Sequence, residues 1–118
     1  MEDRFGKVEV NGVVLYNTTP HAVKIVDEWG GTLLEIPGAP QPLRIQEEST
    51  FIRRFGDIPL VEKTFLGVDL PPREFEVFYI VSLPVAQAVR RGDFIVPHDY
   101  VRDEAGNIVG CRGFARLG

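Results

Sequence analysis

The amino-acid sequence predicts a mainly β domain with one short helix, of the α+β kind, arranged as an antiparallel sheet or a small barrel or sandwich of short strands. Short runs rich in β-branched and aromatic residues recur along the chain, and turn dipeptides separate them. The 9 prolines and 12 glycines leave little room for long helices. With 118 residues, 44% of them hydrophobic, we expect a single domain over residues 1–118.

Two hairpins are predicted in the first third of the chain. The dipeptide Asn11-Gly12 separates apolar segments at about 7–10 and 13–17, and Asn-Gly is favoured in the tight type I′ turn of a β-hairpin. A second pair of strands is expected on either side of the Gly-containing turn 27–31, at about 22–26 and 32–36.

The middle of the chain gives a weaker strand pattern. Apolar and polar residues alternate from Leu43 to Gln46, as in a half-buried strand, and we expect a bend at Glu47-Glu48 before the strand resumes at 50–53. The segment 58–65 contains Pro59, which predicts an edge strand or an irregular stretch.

The one helix is predicted directly after the most apolar strand. Residues 75–81 are rich in aromatic and β-branched side chains, which predicts a central strand. Ser82 is a suitable N-cap, Pro84 fits the first helical turn, and Gly92 is a suitable C′ residue, so the helix is expected over about 83–91.

Two short strand segments are expected near the C-terminus. A strand at 93–96 is predicted to end at Pro97. Residues 100–102 and 108–114 are expected to pair as a hairpin across the acidic, glycine-containing turn 103–107.

Charge and composition exclude several classes of protein. The net charge of −4, from 13 basic and 17 acidic residues, argues against a protein that binds long nucleic acid. No segment approaches the roughly 20 apolar residues of a membrane helix, so no membrane partner is expected. Cys111 is the single cysteine, which leaves no disulfide framework. We therefore expect a cytoplasmic protein, located in the host cytoplasm if it is phage-encoded.

No familiar metal or cofactor motif occurs in the chain. There is no Walker loop, dinucleotide fingerprint or EF-hand, and no cluster of Cys and His has zinc-ligand spacing. We therefore expect neither a metal nor a cofactor, and no residue is assigned a catalytic role.

A polar segment at a predicted strand end is the first candidate site. Asn17, Thr18, Thr19 and His21 supply side-chain and backbone groups that can hold an anion, although the same residues also form ordinary Asx and Ser/Thr turns. His98 lies beside Asp99, which suits a general base or a loop hydrogen bond.

Arginine and aromatic residues form the second part of the candidate site. The guanidinium fork suits phosphate, and an aromatic ring can stack on a base. Arginines near a helix end or on a solvated strand face are the structural alternative. The residues expected to bind a ligand are Asn17, Thr18, Thr19, His21, Arg53, Arg54, Tyr79, Arg91, His98 and Arg112.

The segment Asn17-Thr18-Thr19-Pro20-His21 resembles the Asn-x-Thr-Pro-His segment of small uncharacterised phage and prophage proteins. Further similar pieces are Tyr79-Ile80-Val81-Ser82, Arg91-Gly92-Asp93, Pro97, Val101-Arg102-Asp103, Gly106 and Ile108-Val109-Gly110-Cys111. The resemblance implies a small accessory protein and no catalytic residues.

Three functions follow as alternatives. The first is a non-enzymatic, phage-related accessory protein that binds a small anionic, nucleotide-like ligand or a protein partner. By analogy with some small phage proteins, it would sequester a nucleotide signal of bacterial defence. The second is a structural or virion-associated module that forms homo-oligomers. The third is a small hydrolase that uses His98 or His21 as its base, which requires that histidine to share a pocket with Asp99, Cys111 or Ser82.

Overall fold

A computed structural model describes residues 3–67 and 69–118 and confirms a mainly β fold with one short helix. In chain order its elements are β1 Gly6–Val10, β2 Val13–Asn17, β3 Val23–Val26, β4 Thr32–Ile36, β5 Ile45–Phe55, β6 Ile58–Gly67, β7 Val77–Ile80, α1 Leu83–Ala88, β8 Phe94–Arg102 and β9 Ile108–Ala115.

Seven strands form one barrel-like sheet in the order β1-β2-β7-β8-β9-β3-β4. The predicted hairpins β1–β2, β3–β4 and β8–β9 are all present and antiparallel. The first turns at Asn11 and Gly12, whose φ angles of 49° and 82° are the two positive values that a type I′ turn requires.

The sheet is mixed rather than wholly antiparallel. β7 lies parallel to both β2 and β8, and β3 lies parallel to β9. The parallel pairing of β7 with β8 follows from α1, because a parallel neighbour in the same sheet requires a crossover connection. The two outer strands approach each other where a Cβ at Gly6 of β1 would collide with the Pro37 carbonyl just after β4. The sheet is therefore nearly closed.

Alternating side chains of the central strands form two cores. In β7, Tyr79 belongs to one cluster and Ile80 to the other, as the period of two in a strand requires. One cluster fills the barrel interior: Leu15, Val23, Ile25, Ile36, Ile80, Ile95 and Cys111. The other lies on the outer face, beneath α1 and the segments flanking the barrel: Phe5, Tyr16, Ala39, Leu43, Val77, Tyr79, Val81, Val85, Ala86, Phe94 and Val96.

The strands β5 and β6 form a separate two-stranded sheet. They pair continuously from Ile45–Gly67 to Phe55–Ile58, so that a long hairpin leaves the barrel. The radius of gyration is 17.1 Å, whereas a compact chain of this length has about 13.5 Å. We call residues 45–67 the β-arm.

Several predicted boundaries are wrong. No bend occurs at Glu47-Glu48, because both residues lie inside β5 and pair with β6. The helix ends at Ala88, and Val89 adopts an extended conformation, so Arg90 and Arg91 lie outside it. Gly92 is consequently not its C′ residue. Ser82 precedes the helix as expected but makes no side-chain capping hydrogen bond.

The predicted strand end at Pro97 is also wrong, since β8 continues through it to Arg102. β8 pairs with β7 only as far as Ile95 and afterwards with β9 alone. One edge of the strand is therefore free at Pro97, where a residue without an N–H is tolerated.

Candidate functional site

The β-arm carries apolar side chains on both faces. Its residues beyond Ile45 are all exposed. In a strand pair, residues directly opposite each other share a face, and the faces alternate along each strand. By the observed register, one face carries Phe51, Val61 and Phe65, and the other carries Phe55, Ile58, Leu60 and Leu66. No described residue outside the β-arm buries either row.

The β-arm ends in a two-residue turn, Gly56-Asp57, between the paired residues Phe55 and Ile58. Gly56 has a φ of +61°, and a positive φ at the first central residue is that of a type II′ hairpin turn. Phe55 and Ile58 are 52% and 67% exposed, so the end of the β-arm presents an apolar pair to solvent.

Charges on the β-arm are separated along its length. Near the barrel, Lys63 forms an ion pair with Glu47 at 2.8 Å, and the hydrogen bond to this carboxylate raises the pKa of the ammonium group. Near the turn, the Arg53 guanidinium lies 5.2 Å from the Phe55 ring centroid. Arg54 lies 5.5 Å from that of Phe51. The two arginines are thus held against aromatic rings rather than against acidic groups.

A cavity of about 470 Å³ opens at one end of the barrel. Its floor consists of the buried residues Val23, Val81, Val96 and Cys111. Its more exposed walls include Thr19, His21, Lys24, Ser82, Leu83, Tyr100 and Ile108. The cavity therefore combines an apolar floor with several polar groups at its mouth, as small-molecule sites commonly do.

The predicted polar segment divides between the cavity and the interior. Thr19 and His21 line the cavity, whereas Asn17 and Thr18 are buried. The Asn17 Nδ2 donates to the carbonyls of His21 at 2.8 Å and Pro37 at 3.1 Å. Its Oδ1 accepts from the backbone N and the hydroxyl of Thr19 at 3.0 and 2.7 Å. Asn17 therefore holds the loop in place, and its polar groups are occupied within the protein.

Tyr79 and Arg91 lie in the outer-face core. The Tyr79 ring stacks on Tyr16 with centroids 5.4 Å apart, and its hydroxyl donates to the Pro72 carbonyl at 2.8 Å. Arg91 forms a paired salt bridge with Asp93 at 2.6 Å. The side chains of Tyr79 and Arg91 therefore have their polar partners inside the protein.

The remaining predicted residues lie on separate surfaces. His98 is exposed on β8 and is not among the cavity residues. Arg112 pairs loosely with Asp99, with 3.7 Å between nitrogen and oxygen. Arg53 and Arg54 lie near the turn of the β-arm. The arginines do not converge on one cleft, and the ten candidate residues occupy several places.

His21 shares the cavity with Ser82 and Cys111, which is the condition set for a hydrolase. Among the described residues, however, no hydrogen bond joins the His21 side chain to either group. Burial raises the pKa of the Cys111 thiol, which opposes formation of the reactive thiolate. The Cys111 Sγ instead faces the Lys24 carbonyl at 3.7 Å. The cavity thus contains residue types that occur in nucleophilic sites, but His21 is not hydrogen-bonded to Ser82 or Cys111 and so is not placed to activate either.

Comparison with known proteins indicates neither a family nor a function for this chain. No family model matches the chain, and no curated protein or solved structure matches it. Within residues 3–67 and 69–118, no group of three or more His, Cys, Asp and Glu side chains is placed to hold a metal ion. Over the same residues, no helix has the length and apolar character needed to cross a membrane.

The sequence contained an overlooked signal for the β-arm. Gly56-Asp57 separates two runs that contain Phe51, Phe55, Ile58 and Val61, and a Gly-Asp dipeptide in this position is typical of a two-residue hairpin. Pro59, which follows directly after Ile58, is instead typical of an edge strand or an irregular stretch. The cavity had no comparable signal, because its lining comes from segments far apart in the chain.

Proposed function

We propose that this protein is a self-assembly module that associates through its β-arm. The observation that carries the proposal is the exposure of apolar residues on both faces of a two-stranded hairpin. An isolated hairpin of this kind is marginally stable in water, and three or more strands or a packing partner are generally needed. Exposed apolar rows also mark surfaces that associate. A second copy of the chain supplies both the missing strands and the missing apolar contacts.

The charges of the β-arm favour a second copy over an unrelated partner. Toward its base the β-arm carries three glutamates, Glu47, Glu48 and Glu62, and one lysine, Lys63. Near its turn it carries the pair Arg53-Arg54 and one acidic residue, Asp57. Two arms that run in opposite directions therefore bring acidic and basic segments together. This charge arrangement supports the second alternative drawn from the sequence in one respect, the formation of homo-oligomers, whereas the scattered arginines give less support to a single phosphate site.

Sedimentation velocity over a series of protein concentrations tests the proposal. The wild-type chain is expected to form dimers or larger species, and the double variant Phe51→Lys and Phe55→Lys, which changes one exposed apolar residue on each face of β5, is expected to be monomeric. Phe75→Lys is the matched control, because Phe75 is 93% exposed but lies outside the β-arm. Circular dichroism verifies that each variant folds. A strictly monomeric wild-type protein at its highest attainable concentration would refute self-assembly.

The cavity supports a second candidate function, the capture of a small anionic ligand with an apolar part. Its volume of about 470 Å³ lies within the usual range of small-molecule sites, about 300–1,000 Å³. Among the lining residues, Lys24 and His21 carry groups that can donate to an anion, and Val81 and Val96 are apolar.

Calorimetry against a panel of nucleotides and cyclic nucleotides tests this second function. Binding is expected to weaken in Lys24→Gln and to persist in Arg112→Gln, which changes an arginine outside the cavity lining. Absence of heat across the whole panel would exclude the nucleotide-like ligand, and equal loss in both variants would place binding elsewhere.

A further inference from the structure

The two edges of the β-arm differ in their capacity to accept another strand. β6 contains Pro59, which has no N–H to donate to a neighbouring strand. At the base of the arm, β6 also approaches the end of the helix, where a Cβ at Gly67 would lie 3.0 Å from the Val89 side chain. β5 contains no proline, and no strand among residues 3–67 and 69–118 pairs with its outer edge. The edge of β5 is therefore the one available for strand addition.

The charges along β5 are complementary to those of a second, reversed copy. The sequence from Glu47 to Arg54 begins with two glutamates and ends with two arginines. When two such strands run antiparallel, the glutamates of each meet the arginines of the other. A twofold axis between the copies repeats the contact on both sides, as in any isologous interface.

A β-bulge places these charges on matching faces. In the hairpin, Phe51 lies opposite Val61 and Arg53 lies opposite Leu60, so Ile52 is an extra residue. In a regular strand, Glu47 and Arg54 would point to opposite faces. The bulge brings them to the same face, in agreement with the Arg54 guanidinium lying over the Phe51 ring. Glu48 and Arg53 share the other face by the same shift.

We infer that two copies join their β5 edges antiparallel about a twofold axis at Thr50, with Ile52 bulged out in both. This inference rests on the proposed self-assembly and specifies its register. Glu47, which already pairs with Lys63 at 2.8 Å within its own hairpin, then lies between Lys63 and the partner's Arg54. Glu48 lies opposite the partner's Arg53. Ser49 lies opposite the partner's Phe51, and Thr50 meets its own counterpart. Every opposed pair shares a face.

The joined arms form one four-stranded antiparallel sheet. New main-chain hydrogen bonds between the β5 edges supply attraction, as in other cases of strand addition. On one face the Phe51–Val61 pairs of the two arms lie next to each other, on either side of Ser49. On the other face Phe55 of each arm lies beside Gln46 of the partner, and the polar residues Thr50 and Glu62 occupy the centre. The charge pairs mainly set the register, because exposed ion pairs contribute more to specificity than to affinity.

Charge reversal gives a direct test of the register by sedimentation velocity. The variant Glu47→Arg with Glu48→Arg opposes arginine to arginine, and Arg53→Glu with Arg54→Glu opposes glutamate to glutamate. Each is expected to be monomeric alone. An equimolar mixture of the two restores all the opposite-charge pairs and is expected to form the heterodimer. The variant carrying all four changes is expected to form a homodimer again.

A single cysteine at the twofold axis provides an independent readout. Thr50→Cys places two thiols directly opposite each other, and oxidation is expected to give a covalent dimer on a non-reducing gel. Thr64→Cys is the matched control, since Thr64 lies on β6 and faces Glu48 across the hairpin. In the inferred dimer the two Thr64 positions are separated by both β5 strands, so this variant is expected to stay monomeric on the gel.

The outcomes separate the inference from the function on which it rests. A wild-type monomer at all concentrations overturns both. A wild-type dimer that tolerates each charge reversal, gains nothing from mixing, or cross-links faster through Thr64→Cys than through Thr50→Cys overturns the register and leaves self-assembly standing. Recovery of the dimer on mixing, together with cross-linking at position 50, supports both.

Discussion

Removal of the Asn17 amide is expected to destabilise the fold markedly. The Asn17 side chain is fully buried and makes four hydrogen bonds of 2.7–3.1 Å, to the carbonyls of His21 and Pro37 and to two groups of Thr19. Each such bond contributes about 1 kcal/mol net. In the variant, the freed groups of Thr19 and His21 can form hydrogen bonds to water, because neither residue is buried. The total loss of stability is therefore smaller than the sum of the four bonds. We expect Asn17→Ala to lower the free energy of unfolding by about 3 kcal/mol.

Urea unfolding followed by far-ultraviolet circular dichroism measures this loss. A typical domain has about 5–15 kcal/mol of stability, so the variant is expected to remain folded at low temperature, with an unchanged denaturant slope. Asn107→Ala is the matched control, because Asn107 is exposed in the β8–β9 turn, and its effect is expected to stay within about 0.5 kcal/mol. An Asn17→Ala loss below about 1 kcal/mol would refute the structural role given to this amide.

The variant Asn17→Asp adds a pH dependence of known sign. Carbonyl oxygens surround the Asn17 Nδ2, so only a protonated carboxyl group can donate to them. Burial among these acceptors favours the protonated form and raises the pKa of the introduced carboxyl group in the folded state above the unfolded value of about 3.9. The native state then binds more protons than the unfolded state above this pH. Relative to wild type, the variant is therefore expected to lose stability as pH rises from about 4, and a pH-independent difference would contradict this reasoning.

Two further substitutions test close packing and a shielded ion pair. Gly110→Ala is expected to cost about 1–3 kcal/mol, because a Cβ at Gly110 would lie 2.9 Å from Val26, whereas Gly113→Ala, with no atom within 4 Å of its Cβ, serves as the control. Thermal unfolding measures both, and equal effects would argue against the tight approach of β9 to β3. Arg91→Ala removes the partner of Asp93, whose side chain is only 14% exposed, and is expected to cost about 3 kcal/mol. Arg91→Lys keeps the charge without the paired geometry and is expected to cost less in the same assay.

Local signals predicted the hairpins and the position of the helix. Asn11-Gly12 specifies its turn because both residues adopt positive φ, and this preference depends only on the residues themselves. The apolar composition of residues 75–81 likewise predicted a central strand, and β7, which covers Val77–Ile80 of that segment, lies between β2 and β8. The length of the helix could not be predicted from the sequence. Val89 adopts an extended conformation, although the residues around it are compatible with another helical turn.

The candidate site was less predictable than the fold. Asn17 and Thr19 are close in sequence and both polar. Asn17 is buried and forms hydrogen bonds only within the protein, whereas Thr19, which donates one of these bonds from its hydroxyl, also lines the cavity. Arg91 and Arg53 have the same side chain, but one is shielded beside Asp93 and the other lies on the β-arm. Residue type indicates what a group can bind. Its neighbours in the folded chain determine whether the group remains available.

The sequence by itself determined that this chain is rich in β-strands, with three hairpins and one short helix, because turn chemistry and strand preference are local properties. Only the tertiary structure showed that one pair of strands leaves the barrel and exposes apolar residues on both faces. The same alternation of apolar residues predicts a strand in either setting, because strand preference depends only on the side chains along the segment. Whether other parts of the chain cover those side chains depends on where the rest of the chain packs.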